Sequence, residues 1–321
     1  MPIAMSTPPA VDPDVESFLS GLDPRPMSQL FQFQGGALPP LSALNIDIQG
    51  QVGSGKTQLV VGDPHCIGVK LRDGTTRHCG ADGKVSSLLR RCPGDPRRIV
   101  VVDTYEQLMS TLDSILQYAK RGYGPDGTFN CVFFDPIIEL WSQAAGEYVT
   151  RHNSQYNSKL ESFGDISGYD KWSTLGRSIK RIFLDQWGPL GWGYRTVTHY
   201  TMRIDNETKA MKWSCDVPNS TSSIIGSYAD ICLVCERLGD IGSPATQWRV
   251  LPTSAIHHSA KTRIPLKPFL VYNYDSQEGR SNPGATAYQC LYAEYLRACE
   301  RHRIEYDNFV AACPGNAKSS R

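Results

Sequence analysis

The sequence predicts an α/β fold with a mainly parallel central sheet flanked by helices, and three observations predict it. Short apolar runs of strand character alternate with longer segments whose apolar residues recur at helical spacing. The strongest runs, Arg98 to Asp103 and Cys131 to Phe134, are continuous rather than alternating, as expected of strands covered on both faces. The first strand runs directly into a glycine-rich turn and then a helix-forming segment, the opening of a parallel strand–helix–strand crossover.

The elements follow in order. Residues 1–40 hold Pro2, Pro8, Pro9, Pro13, Pro24, Pro26, Pro39 and Pro40 with few apolar runs, a composition that favours an extended arm. Ala43 to Gly50 reads as a strand ending in glycine, and Cys66 to Leu71 and Arg98 to Asp103 as the next two. Tyr105 to Lys120 spaces Leu108, Leu112, Ile115 and Leu116 on one helix face. The run Cys131 to Phe134 ends at Asp135 and leads into a helix over Ile137 to Val149. A second helix, Trp172 to Trp187, sets Leu175, Ile179, Ile182 and Phe183 on one face. Tyr194 to Tyr200, Ile231 to Cys235 and Gln247 to Leu251 have strand character. Ala285 to His302 reads as a closing helix with Tyr288, Leu291, Tyr292, Tyr295 and Leu296 facing inward. The organisation expected is an arm over 1–40, a core over 41–275, and a C-terminal helix and tail over 276–321.

Composition excludes several classes. With 321 residues, 40% hydrophobic and 20% charged, the chain can bury a sizeable core. It has no apolar run of about 18 residues, so no membrane-spanning helix is expected. Its N-terminus lacks the basic-then-apolar pattern of a secretory signal, and a cytoplasmic location is expected. The ten cysteines then read as reduced thiols, most of them buried. A net charge of +1 offers no overall basic field, so any nucleic-acid contact must come from local patches.

Chemistry concentrates at Gly50, Gln51, Val52, Gly53, Ser54, Gly55, Lys56 and Thr57, which match G-x-x-x-x-G-K-[ST] in full, with Gln58 next. Glycines allow successive backbone N–H groups to turn inward as an anion nest. Lys56 can reach the β and γ phosphates of ATP, and the Thr57 hydroxyl can ligate Mg2+. Asp135, closing a buried apolar strand, has the form of the second Mg2+-site element. It falls at the strand edge where ligands sit in open parallel sheets.

Taken in order, Gly50 to Thr57, VFFDPIIEL (132–140), RTVTHY (195–200), SYADICLV (227–234) and AKTR (260–263) resemble the successive signatures of phage-encoded RecA-like ATPases, the Sak-type single-strand-annealing recombinases. The resemblance spans roughly residues 41–275. It implies a RecA-like P-loop NTPase core and an ATP-hydrolysing protein that assembles as a ring or filament on single-stranded DNA in phage recombination. The compartment it implies is the cytoplasm of the infected host. His199 would be a sensor near the γ phosphate, and Lys261 and Arg263 would reach the ATP of a neighbouring subunit. Related ATPases carry a water-orienting glutamate after the strand that follows the P-loop helix. Here that place holds Asp73, and Glu106 and Glu139 are rivals. Other readings are an AAA-like or helicase-like motor, or a nucleotide-dependent scaffold with little turnover.

Two polar stretches fall where such proteins have DNA-facing loops. Residues 146–171 contain Tyr148, Arg151, His152, Tyr156, Lys159 and Tyr169, and residues 201–226 contain Arg203, Lys209, Lys212 and Trp213. Cations among aromatics suit single strands, since phosphates take the charge and bases stack on rings. His65, Cys66, His78, Cys79 and Cys92 crowd one region, but their spacing fits no common zinc module, and scattered buried thiols are the preferred reading.

Overall fold

A computed structural model describes residues 38–63, 66–71, 99–120, 131–168, 170–183, 186–187, 190–204, 211–239, 247–252, 262, 264–272, 276–277, 281 and 287–312. The elements in chain order are β1 (Ile46–Gly50), α1 (Lys56–Val61), β2 (Cys66–Leu71), β3 (Ile99–Val102), α2 (Tyr105–Lys120), β4 (Cys131–Asp135), α3 (Ile137–Tyr156), α4 (Asp170–Phe183), β5 (Gly193–Ile204), β6 (Met211–Cys215), α5 (Asn219–Tyr228), β7 (Ile231–Leu238), β8 (Gln247–Leu251), β9 (Phe269–Tyr272) and α6 (Ala287–Ala312). The sheet order is β3-β2-β4-β5-β1-β7-β8-β9, with β6 paired to β5 alone.

Every pairing from β3 to β7 along this order is parallel, as the strand and helix alternation predicts. The strands are covered on both sides. In β4, Val132 and Phe134 enter a core with Leu108, Leu112 and Ile115 of α2, Leu140 of α3 and Leu175 and Ile179 of α4. Phe133 turns to a second core with Ile46 and Ile48 of β1, Leu59 and Val60 of α1, and Leu291 and Tyr295 of α6. Alternate residues of one apolar run thus serve opposite faces, and this is why such runs are continuous in sequence.

The strand expected at 247–251 is present as β8, which pairs antiparallel with β7, and β9 pairs antiparallel with β8 to form one edge. Three expectations are corrected. Among their described residues, stretches 146–171 and 201–226 are mostly helix and strand rather than loop. The first is the second half of α3, a return segment with a 3-10 turn at Phe163–Asp165, and the start of α4. The second is the β5–β6 antiparallel pair and α5. On α6, Tyr288, Leu291 and Tyr295 are buried, but Tyr292 is 43% and Leu296 50% exposed. Only the narrow stripe running on through Ala298 faces the sheet. Finally, Cys66 and Cys131 are not free thiols. They are register partners on β2 and β4, with Cα atoms 4.7 Å apart, and form a disulfide. Such opposition depends on strand neighbours far apart in sequence, which thiol counting cannot see. Among the described residues Cys215, Cys232, Cys235, Cys290 and Cys299 take no part in a disulfide. No helix among them is long and apolar enough to cross a membrane.

Candidate nucleotide site

β1 ends at Gly50, and the chain turns through residues 51–55 into α1. Two glycines here are required by geometry. A Cβ on Gly50 would stand 2.4 Å from the Cys235 carbonyl oxygen on β7, so only a bare α-carbon lets the loop leave between the strands. Gly55 has φ +82°, a left-handed value, and a Cβ there would stand 2.7 Å from the Trp248 ring. Gly53 is left-handed as well. Gln51, Val52 and Gly53 are exposed at the lip, and Gln58 is half-buried in the first turn of α1.

Lys56 is 4% exposed, and its Nζ folds back to donate to the carbonyls of Gly50, at 2.9 Å, and Gln51. The buried Ser54 hydroxyl has no hydrogen-bond partner among the described residues, a position that an oxygen ligand can satisfy. Across the sheet edge, the Thr57 hydroxyl donates to Asp135 Oδ2 at 2.8 Å, joining residues 78 apart in sequence. A hydroxyl and a buried carboxylate meeting next to an anion nest form an oxygen donor set suited to a hard divalent cation. The residues present therefore fit a magnesium–nucleotide pair.

β5 lies between β1 and β4, and in its register with β1 His199 stands opposite Gly50. Its Nδ1 is 3.7 Å from an Asp216 carboxylate oxygen. The structure thus brings the loop, Thr57, Asp135 and His199 to one edge. Glu139 is half-buried in the first turn of α3, four residues past Asp135. Glu106 is exposed on α2 after β3, the outer strand, four strand steps from β1. That is about 19 Å at the usual strand spacing. Asp73, Lys261 and Arg263 lie outside the described residues. Thr262, between those two cations, bridges Ile231 at the far end of β7 from the loop. Of the weighed zinc ligands, Cys66 is in the disulfide, and His65, His78, Cys79 and Cys92 lie outside the described residues.

The two polar stretches separate in space. Helix α3 starts next to Asp135, so its Arg151 to Tyr156 segment ends about 30 Å along its axis from there. Tyr148 packs edge-on against Phe163, Arg151 pairs with Glu147, and the His152 ring lies against Tyr156. By contrast, β5 and β6 continue past the nucleotide edge. Tyr200 to Ile204 pair with Met211 to Cys215, placing Arg203, Lys212 and Trp213 on a ribbon that rises beside the loop. Tyr169 and Lys209 lie outside the described residues.

Several residues of the site were not legible beforehand. Asp47 and Gln49 on β1 form a buried network: Thr196 and Thr198 donate to Asp47 at 2.7 and 2.8 Å, Gln49 donates to Asp47, and Tyr200 donates to Gln49. Burial pushes the Asp47 carboxyl above its ordinary range, against the pull of the bonds from Gln49, Thr196 and Thr198. The alternation of polar Asp47 and Gln49 with Ile46 and Ile48 was the available signal. A cavity of about 210 Å³ opens beside the loop, lined by Gly50, Gln51, Tyr200, Cys235, Glu236 and Arg237 among others. Burial pushes the Cys235 thiol up to about 12, so it stays neutral there.

A mainly parallel sheet flanked by helices thus carries the glycine-rich loop at the end of β1 and Asp135 at the end of β4, with β5 between the two strands. No protein-family profile matches the sequence, and no curated protein matches it. Among solved structures, the chain is similar to a crystal structure of the RadB recombinase, with a TM-score of 0.36 and 11% identity over 72% of this chain and 86% of that one.

Proposed function

We propose that the protein binds and hydrolyses ATP with Mg2+ and acts on single-stranded DNA as a RecA-like recombination protein of phage type, in annealing or strand exchange. The observation that carries the nucleotide part is the Thr57–Asp135 contact, which closes the loop and the acidic strand end into one site. In this reading the loop N–H groups and Lys56 hold the phosphates, and Thr57 and Asp135 hold the cation, which supplies charge neutralisation on the transferring phosphate. Glu139 is the described acid best placed to orient the attacking water, and His199 senses the terminal phosphate.

The DNA part rests on the sequence resemblance and on the β5–β6 ribbon, which rises from the nucleotide edge with Arg203, Lys212 and Trp213 along it. Lys261 and Arg263 serve a neighbour in a ring or filament. Thr262 sits four register steps along β7 from the residue opposite Gly50, which favours action outside the chain's own site.

The test is ATP turnover with and without single-stranded DNA. Magnesium-dependent turnover stimulated by DNA is expected. Nucleotide binding without turnover would turn the reading into a scaffold, and DNA-independent turnover with directional unwinding into a motor. For the neighbour contact, Arg263→Ala should bind ATP yet hydrolyse it poorly. Mixing it with Lys56→Ala subunits should then recover part of the activity, and purely additive activity would remove Arg263 from a neighbour's site.

A further inference from the structure

Trp248 stands on β8, which pairs with β7, itself the neighbour of β1. Its indole fills the space a side chain at Gly55 would need: a Cβ there would meet Cδ2, Cε3 and Cε2 of the ring at 2.7, 2.8 and 3.0 Å. Its Nε1 donates to the Gly53 carbonyl at 3.1 Å, and the residue is 4% exposed. One side chain therefore grips the phosphate loop at two of its three positive-φ glycines, Gly53 and Gly55, on either side of the buried Ser54.

We propose that Trp248 is a positioning residue of the nucleotide site, holding the loop in its phosphate-accepting turn before any ligand arrives. The inference rests on the nucleotide reading above. A loop with glycines at 50, 53 and 55 has more backbone freedom to lose than the same loop without them. If that freedom is lost on binding, it is subtracted from affinity; if a neighbouring element removes it during folding, it is not. In a nest the N–H groups converge inward, so carbonyls are turned outward and need donor partners of their own. Trp248 supplies one to Gly53 while its ring blocks Gly55 from collapsing outward. The brace comes from the antiparallel edge of the sheet rather than from the crossover that makes the motif.

The experiment is calorimetric titration of the full chain with a non-hydrolysable ATP analogue and Mg2+, alongside steady-state ATP turnover. Failure of the wild type to bind would sink the nucleotide reading itself. Given wild-type binding, Trp248→Phe, which keeps an aromatic ring and loses the N–H, should bind about five- to tenfold more weakly. Its KM should rise in step while kcat at saturating ATP stays within about twofold. Trp248→Ala should weaken binding further; if it does not fold, the Phe variant decides. Unchanged affinity in Trp248→Phe, with or without a lowered melting temperature, overturns the proposal, as does a loss confined to kcat.

Discussion

Two cations are almost fully buried near opposite ends of the same sheet, and what surrounds them differs. Arg195, on β5 near its start, donates to the carbonyls of Leu41, Leu44 and Tyr194 and pairs with buried Asp63 at 3.3 Å. Its partners come from as far as 154 residues away, so its burial locks the chain leading into β1 against β5 and the end of α1. Lys56, at the other end of β1, donates to Gly50 and Gln51, within six residues of itself. Those carbonyls belong to the loop itself, and under the proposed function the lysine would exchange them for phosphate oxygens. Burial alone does not separate a structural charge from a working one. The separation comes from whether the groups that satisfy the charge can be exchanged for a ligand.

The sharpest way to break this contrast is Lys56→Ala. Turnover should fall by roughly 10²–10³-fold or more, the scale of removing a charge aimed at the transferring phosphate, with little change in the denaturant midpoint. A large loss of stability would make Lys56 a second Arg195. Conversely, Arg195→Met strands Asp63 in the interior and should cost about 3–5 kcal/mol in urea unfolding. Near-native stability in that variant would show that the pair is not the lock described. Between the two stands Asp135→Asn, which keeps the shape and loses the anionic ligand. Magnesium-dependent nucleotide binding should weaken at least about tenfold, read by titration at varied Mg2+, because a neutral amide is a poorer ligand for a hard cation.

The smallest effect concerns a pair that is neither lock nor ligand site. Glu294 on α6 accepts from the Lys267 N–H at 2.8 Å and from Arg301 at 2.6 Å. Burial acts to raise its carboxyl, but these partners outweigh it and hold the group below its ordinary 4.5. A lowered acid contributes stability that is present above the ordinary value and is lost as pH falls through the folded one. Glu294→Gln should therefore lower the stability slightly at pH 7, by less than about 1 kcal/mol, and flatten the dependence of the melting temperature on pH below 4.5. An unchanged acid limb would place the contribution elsewhere.

Much of this was legible and some was not, for identifiable reasons. β2 and β8 and helix α2 begin and end where the apolar pattern put them, because burial on one or two faces writes a period into the chain. Helix α3 runs seven residues beyond the reading that stopped at Val149, since its second half is largely polar and has no such period. β6, α5 and β9 passed unread. β6 pairs only with β5 and carries no continuous apolar run, and β9 is four residues long. Tyr292 and Leu296 look like core by spacing but are 43% and 50% exposed, because α6 turns inward only the stripe from Tyr288 through Leu291 and Tyr295 to Ala298.

By itself the sequence determined the glycine-rich turn after β1, the strand that ends in Asp135 and the parallel core that holds both. Each of these is written in local pattern: glycines where the backbone must turn, β-branched and aromatic runs where both faces are covered, an acid where a buried strand meets an edge. The tertiary structure alone decided that Thr57 touches Asp135, that Cys66 meets Cys131, that Trp248 bonds to Gly53, and that of the two polar stretches only the β5–β6 ribbon rises beside the glycine-rich loop. Those facts depend on which strands become neighbours and in what register. Neighbour order in a sheet is set by the packing of crossovers over the whole chain, and no window of sequence contains it.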